Sequence, residues 1–153
     1  MKIYIGTDHA GYELKEILAS YIEQELGYTV LDMGAHQMEK NDDYPDFIKL
    51  VAKEVSDDPD GAKGIILGGS GQGEAMVANR FPDVRAVVFY GGSMDIIRYS
   101  REHNNANVLS FGARFVKTEE AKQAVKLWLE TRFSEDERHK RRITKLEAIW
   151  PYK

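Results

Sequence analysis

The sequence contains no cysteine, which excludes disulfides, iron–sulfur clusters, Cys-ligated zinc and any thiolate nucleophile. It also lacks any apolar run near the ~20 residues that a membrane span requires. Its first residues, Met1-Lys2-Ile3-Tyr4-Ile5-Gly6, read as the start of a strand and not as a secretory leader. Excess charge is small: 21 Lys and Arg against 25 Asp and Glu leave a formal net charge of −4, too weak a field to attract nucleic acid. Internal repeats, low-complexity stretches and linkers are missing too, so the 153 residues read as one domain, 1–153. What remains is ordinary globular composition, 42% hydrophobic and 30% charged. A chain of this size buries roughly 68–70% of its unfolded surface, enough for a real core. The expectation is a soluble, cytoplasmic domain whose chemistry, if any, is not thiol chemistry.

The hydrophobic period switches repeatedly between strand-like and helix-like. Lys2–Thr7 reads as a strand, and Gly11–Leu26 as a helix with Leu14, Ile17, Leu18, Tyr21 and Ile22 on one face, stopped by Gly27. Tyr28–Met33 is a second strand. A polar loop, Gly34–Asp43, leads to a helix opened by Tyr44-Pro45. Gly64–Leu67, Val84–Tyr90 and Asn107–Phe111 are further strands, and Glu74–Phe81 and Met94–His103 are helices. Thr118 is expected to cap another helix, with Glu119 and Glu120 favourably placed against its dipole. A charged helical tail, 135–149, closes the pattern. This alternation predicts an α/β protein: a Rossmann-like, three-layer, doubly wound fold on a five-stranded parallel sheet.

In open α/β sheets ligands bind at the carboxyl ends of the strands. Asp8-His9 follows the first strand, Gly68-Gly69-Ser70-Gly71-Gln72-Gly73-Glu74 the third, and Gly112-Ala113-Arg114 the fifth. His103-Asn104, closing the helix before the fifth strand, is expected on that same edge.

The glycine-rich turn is the strongest local signal, because its backbone can approach an anion closely and present N–H groups to it. A dinucleotide fingerprint fails, since Glu74 stands where the third glycine belongs and the turn follows the third strand. A Walker A loop fails for want of Gly-Lys-Ser/Thr. The alternative is a turn that uses glycine only for tight packing. Glu74 reads either as a complement to the helix dipole or, beside Ser70 and the loop N–H groups, as a base facing an oxyanion hole. The dipole is expected to keep it ionised. No HxxxH pair occurs, so no metal site is expected. Arg138 and Arg142, four apart on a helix, form either a phosphate grip or a solvated basic face balanced by Glu135, Asp136 and Glu137.

Several motifs occur in order: Gly6-Thr7-Asp8-His9-Ala10-Gly11, Asp43-Tyr44-Pro45, Gly69 to Glu74, Ala78-Asn79-Arg80, His103-Asn104-x-x-Asn107, Phe111-Gly112-Ala113-Arg114 and Arg138-His139-x-x-Arg142. Together they resemble the family of ribose-5-phosphate isomerase type B, which also holds galactose-6-phosphate and allose-6-phosphate isomerases. The resemblance runs from Lys2 to about Ile149. It implies a metal- and cofactor-independent aldose–ketose isomerase acting through a cis-enediolate, a homodimer or dimer of dimers with its site shared between subunits. Many members carry a catalytic Cys where this chain has Gly68; the branch with a Glu in the loop is the one resembled, and Glu74 is then the base.

Carried over residue by residue, Ser70 with Gly69, Gly71 and Gly73 would stabilise the oxyanion. His103 would open the sugar ring and Asp8 would contact the sugar. His9, Arg114, Arg138 and Arg142 would hold the phosphate, while Tyr44 and Asn104 would line the sugar pocket. The resemblance assigns Asp8, His9, Tyr44, the loop, Arg138 and Arg142 to one subunit, and His103, Asn104 and Arg114 to its partner. Two alternatives stand beside ribose 5-phosphate chemistry: the same reaction on a six-carbon sugar phosphate, and a non-catalytic nucleotide- or flavin-binding module.

Overall fold

The computed structural model describes residues 1–149, and strands alternate with helices from the start of the chain. The strands are β1 (Lys2–Thr7), β2 (Thr29–Asp32), β3 (Ala62–Gly68), β4 (Ala86–Phe89) and β5 (Val108–Gly112). The helices are α1 (Tyr12–Gln24), α2 (Tyr44–Asp57), α3 (Gln72–Ala78), α4 (Met94–Glu102), α5 (Thr118–Glu130) and α6 (Glu137–Glu147). All pairings are parallel and the sheet order is β2-β1-β3-β5-β4, so the predicted five-stranded parallel α/β fold is what forms.

Two buried clusters show why. Along β3, Ile65 and Leu67 join Ile3, Ile5 and Phe111 under α1 and α5, while Ile66 turns to the other face with Tyr4 and the α2 residues Ile48, Val51 and Val55. Period-two alternation with both faces covered is the signature of a central parallel strand. Each such side chain contributes about 1.5–3 kcal/mol of burial. Gly27 ends α1 with φ +73, and the Tyr28 N–H reaches back to the Ile22 carbonyl at 3.1 Å.

Boundaries differ where charge misleads. β3 begins at Ala62 because Lys63 is buried, its ammonium donating to the Ala62 carbonyl at 3.2 Å. Burial holds that amine down to about 8, with Arg101 and Arg85 adding repulsion. The α5 cap is Lys117 and not Thr118: the Ala121 N–H already bonds the Lys117 carbonyl at 2.9 Å, so the helix starts one residue earlier than expected. α6 buries only His139, which leaves most of that helix without a covering layer. Among the described residues, no helix is long and apolar enough to cross a membrane.

Candidate active site

The carboxyl edge of the sheet holds an open cleft of about 340 Å³. Asp8 and His9 come from the end of β1, Tyr44 from the first turn of α2, Gly69, Ser70, Gly73 and Glu74 from the turn after β3, and Arg114 and Phe115 from the end of β5. Gly71 makes the turn possible: its φ is +75, and a Cβ there would lie 2.8 Å from the Phe111 carbonyl carbon. A Cβ at Gly73 would meet the Tyr44 hydroxyl at 2.7 Å, so the missing side chain is what lets Tyr44 close on the loop.

Glu74 is a buried carboxylate of this cleft, 4% exposed, with Asp8 beside it at 7%. Its carboxyl is raised above the ordinary glutamate value: burial raises it most, a hydrogen bond from its own backbone N–H offsets part of that, and the negative charge of Asp8 adds a smaller rise. Burial thus works against the ionising effect expected of the helix dipole. α3 has 7 residues, and desolvation outweighs what its first turn offers. A carboxylate moved up toward neutrality is a better-matched base. Ser70 is exposed, and its hydroxyl oxygen accepts from the Gln72 N–H at 3.3 Å, which leaves its own O–H proton for another acceptor.

Asp8 is fixed by the Ala10 N–H on Oδ1 at 2.9 Å, and its Oδ2 stands 4.0 Å from His9 Nδ1. His9 Nδ1 lies 2.6 Å from Asp42 Oδ1, and the same oxygen accepts the His9 backbone N–H at 3.1 Å. Asp8, His9 and Asp42 are the group among the described residues with cation-ligand composition, their ligand atoms within 4.8 Å of one another. Two of those atoms already share the 2.6 Å hydrogen bond. Asp42 is a residue that sequence reading missed, because it lies 33 positions from His9 in a loop that looks solvated.

His103 and Asn104 do not share this edge. α4 leaves the carboxyl end of β4 and returns to the amino end of the parallel β5, so the residues that close α4 lie at the amino edge, where Asn107 takes the Gly64 N–H at 2.9 Å. β5 alone puts about 13 Å between the two edges. The expectation that these groups collect on one edge fails, because covering helices run antiparallel to the strands they connect.

At the amino edge the His103 ring stacks on Tyr99 (centroids 4.8 Å apart, 10° between planes) and meets His139 at 4.4 Å. His139 was expected only as part of a basic cluster, yet it is 2% exposed and its Nδ1 lies 2.8 Å from the Ser134 hydroxyl. Burial, then the neighbouring His103 and arginines, holds its imidazole below the usual value. Asn104 and Arg142 line a separate groove of about 520 Å³, walled by apolar residues such as Val87, Ile143 and Leu146. Arg138 is exposed beside Asp136 at 3.6 Å. Within one chain these residues group differently from the expected assignment in two places. Arg114 lies with Glu74, its guanidinium against Gly69, whereas Arg142 lies with Asn104, and Arg138 shares its helix.

A five-stranded sheet with a glycine turn, a buried Glu and a distal histidine–arginine cluster invites comparison with known proteins. A family profile described as Ribose/Galactose Isomerase matches residues 3–146. The chain belongs to this family. The ribose-5-phosphate isomerase B of Mycolicibacterium paratuberculosis is 40% identical over 143 residues, covering 94% of this chain and 87% of that protein. The Escherichia coli ribose-5-phosphate isomerase B is 40% identical over 153 residues, covering 97% and 95%. Among solved structures, that of the Mycoplasma genitalium enzyme with bound ribulose-5-phosphate superposes with TM-score 0.91 at 36% identity, covering 97% of this chain and 95% of that one. The Clostridium thermocellum ribose-5-phosphate isomerase B gives 0.90 at 40% identity. This chain is an isomerase with the family's Rossmann-like α/β fold.

Proposed function

We propose that this isomerase interconverts ribose 5-phosphate and ribulose 5-phosphate through a cis-enediolate, with Glu74 as the base. The observation that carries the reading is the Glu74 carboxylate itself. It is buried, lifted above its ordinary pKa, and set behind a glycine loop in a cleft rimmed by His9 and Arg114. The named relatives support the substrate.

Aldose–ketose interconversion removes a proton from C2 and returns it to C1. In the proposed sequence Glu74 takes the C2 proton of the open-chain aldose, and the electron pair flows toward O1. Loop N–H groups of Gly69, Gly71 and Gly73, with the Ser70 O–H, meet the charge that develops there. Glu74 then delivers its proton to C1 of the enediolate, while the O2 proton passes to O1, which leaves a C2 ketone and a C1 hydroxyl. His103 opens the furanose ring before this step, Asp8 contacts the sugar hydroxyls, and Tyr44 and Asn104 line the pocket. His9, Arg114, Arg138 and Arg142 bind the phosphate and so fix the reacting carbons against Glu74.

The reading requires two chains. Glu74 and His103 stand at opposite edges of one sheet, so a complete site takes the carboxyl edge of one subunit and the amino edge of another. The uncovered face of α6 and the apolar groove beside edge strand β4 are the surfaces available to a second copy. Glu74→Gln keeps the side-chain shape and removes the base, and we expect kcat to fall about 10²–10⁴-fold with KM nearly unchanged. Turnover near that of the parent enzyme would remove Glu74 from the mechanism. Because the family description spans ribose and galactose isomerases, the assay should compare ribose 5-phosphate with allose and galactose 6-phosphates.

A further inference from the structure

We propose that Asp42 is a positioning residue that holds the His9 ring in its phosphate-binding orientation. This inference rests on the reading of His9 as a phosphate ligand. One oxygen, Asp42 Oδ1, accepts both the His9 backbone N–H at 3.1 Å and a hydrogen bond from the ring at Nδ1, 2.6 Å away. Gripping main chain and side chain of the same residue together fixes the torsions of His9.

The Asp42 side chain is 8% exposed, while that of His9 is 30% exposed and faces the cleft. Asp42 Oδ2 is buried without a hydrogen-bond partner among the described residues. A carboxylate held in this half-satisfied state for fold stability alone is a poor arrangement, since the orphaned oxygen costs free energy that an apolar residue would not. Among the described residues, His9 is the hydrogen-bond partner of this carboxylate. The Asp42 loop is itself tied to the end of β1, by the Thr7 N–H to the Gly34 carbonyl at 2.8 Å and the Ala35 N–H to the Thr7 carbonyl at 2.7 Å.

The chemistry follows from the donor inventory. A carboxylate only accepts, so Nδ1 carries the proton in the pair, and the opposite ring nitrogen, Nε2, is left for the ligand. To donate from Nε2 to a phosphate oxygen while Nδ1 donates to Asp42, the ring must be the imidazolium. It then lies between two anions, Asp42 on one side and phosphate on the other. The nearby Asp8 carboxylate, 4.0 Å from Nδ1, adds to the same balance.

The test is a double-mutant cycle on the full-length enzyme, reading kcat, KM for ribose 5-phosphate and inhibition by inorganic phosphate. Asp42→Ala should raise both KM and the phosphate inhibition constant about 5- to 20-fold with kcat within about twofold. Asp42→Asn, which keeps a carbonyl acceptor for Nδ1–H, should recover most of that loss. In a His9→Ala background Asp42→Ala should add nothing. Ring ¹⁵N chemical shifts should show His9 protonated at Nδ1 in the parent and should lose that signature in Asp42→Ala. Full additivity of the two substitutions overturns the proposal. So does a loss confined to kcat, which would make the pair a proton-transfer device, or an Asp42→Ala enzyme that binds phosphate normally while His9→Ala does not. If His9→Ala itself leaves KM and phosphate inhibition unchanged, the phosphate reading of His9 falls and the proposal falls with it.

Discussion

Gly68→Ala isolates the placement of the base from its chemistry. Gly68 is the last residue of β3 and has no left-handed φ, so its backbone accepts alanine. The space does not. A Cβ at 68 would overlap Glu74 Oε1 and lie 2.8 Å from Oε2, where an ordinary contact needs about 3.5 Å. The carboxylate must therefore swing away by roughly 1 Å or more, and a displacement of that size costs about 10²-fold in rate. That corresponds to about 2.7 kcal/mol of lost transition-state stabilisation. The phosphate-binding groups are untouched, so KM should change little. Overpacking should cost about 1–3 kcal/mol of stability, a fall of about 2–4 °C in Tm for each kcal/mol.

The assay is steady-state turnover of ribose 5-phosphate, with thermal unfolding followed by circular dichroism to confirm that the variant is folded. A control sharpens it: added to Glu74→Gln, Gly68→Ala should lower kcat no further, because the displaced group is no longer a base. A folded Gly68→Ala enzyme with parental kcat would refute the argument that the position of Glu74 carries catalysis. The same overlap means that a side chain at 68 and the Glu74 carboxylate exclude each other, so a cysteine at 68 would take the place of the carboxylate.

Because burial and Asp8 hold Glu74 above the ordinary carboxylate range, its basic form is lost as pH falls through that raised value. The acid limb of kcat should lie above ~4.5, the ordinary glutamate value, and Asp8→Asn should move it down; a limb at or below ~4.5 contradicts the assignment. Lys63 has a native value of about 8 against 10.5 ordinarily, so the folded state binds its proton less tightly than the unfolded one. Stability should therefore rise with pH between 8 and 10.5. Lys63→Met should remove that rise and stabilise the protein at pH 7 by at most about 3 kcal/mol, measured by denaturant unfolding across pH; an unchanged pH profile would show that the amine is not penalised. Glu74→Gln and His103→Ala, each inactive alone, should regain about a quarter of parental activity when mixed, dissociated and reassociated, because each mixed dimer then holds one intact site. No recovery would place the whole site within one chain.

The local features of the fold were legible because they are written in short-range pattern: the apolar run Gly64–Leu67 inside β3, the helices α1 and α2, and the Gly27 stop all appear close to where the sequence predicts them. Errors fell where tertiary context overrides local chemistry. Lys63 falls outside the strand predicted from Gly64 and is instead buried within β3, and Glu74 reads as dipole-stabilised while burial works in the opposite direction. Asp8, His9, Tyr44, the glycine loop and Arg114, read from their motifs, line one cleft, whereas the contacts made by Asp42 and His139 were not legible. Pairing across 33 positions, or stacking between α4 and α6, leaves no periodic trace in one sequence. The edge on which His103 lies was readable in principle from connectivity alone, since a helix between parallel strands must end at the amino edge.

The two missed supports hold their histidines differently, and the difference matches the proposed chemistry. His9 is clamped by a hydrogen bond from one ring nitrogen, which fixes direction and commits the other nitrogen to a single ligand. That suits phosphate, whose position must not vary while the carbons react. His103 is held instead by ring contacts, stacked on Tyr99 and tilted against His139, and among the described residues no hydrogen bond engages its ring nitrogens. A ring-opening residue must give up a proton at one sugar oxygen and accept one at another, and a nitrogen already tied to a carboxylate would be a poor exchanger. Stacking restrains the plane of the ring and leaves both nitrogens available. The Ser134 hydroxyl holds His139 from behind, so the restraint on His103 passes through a neighbour that the substrate need not touch.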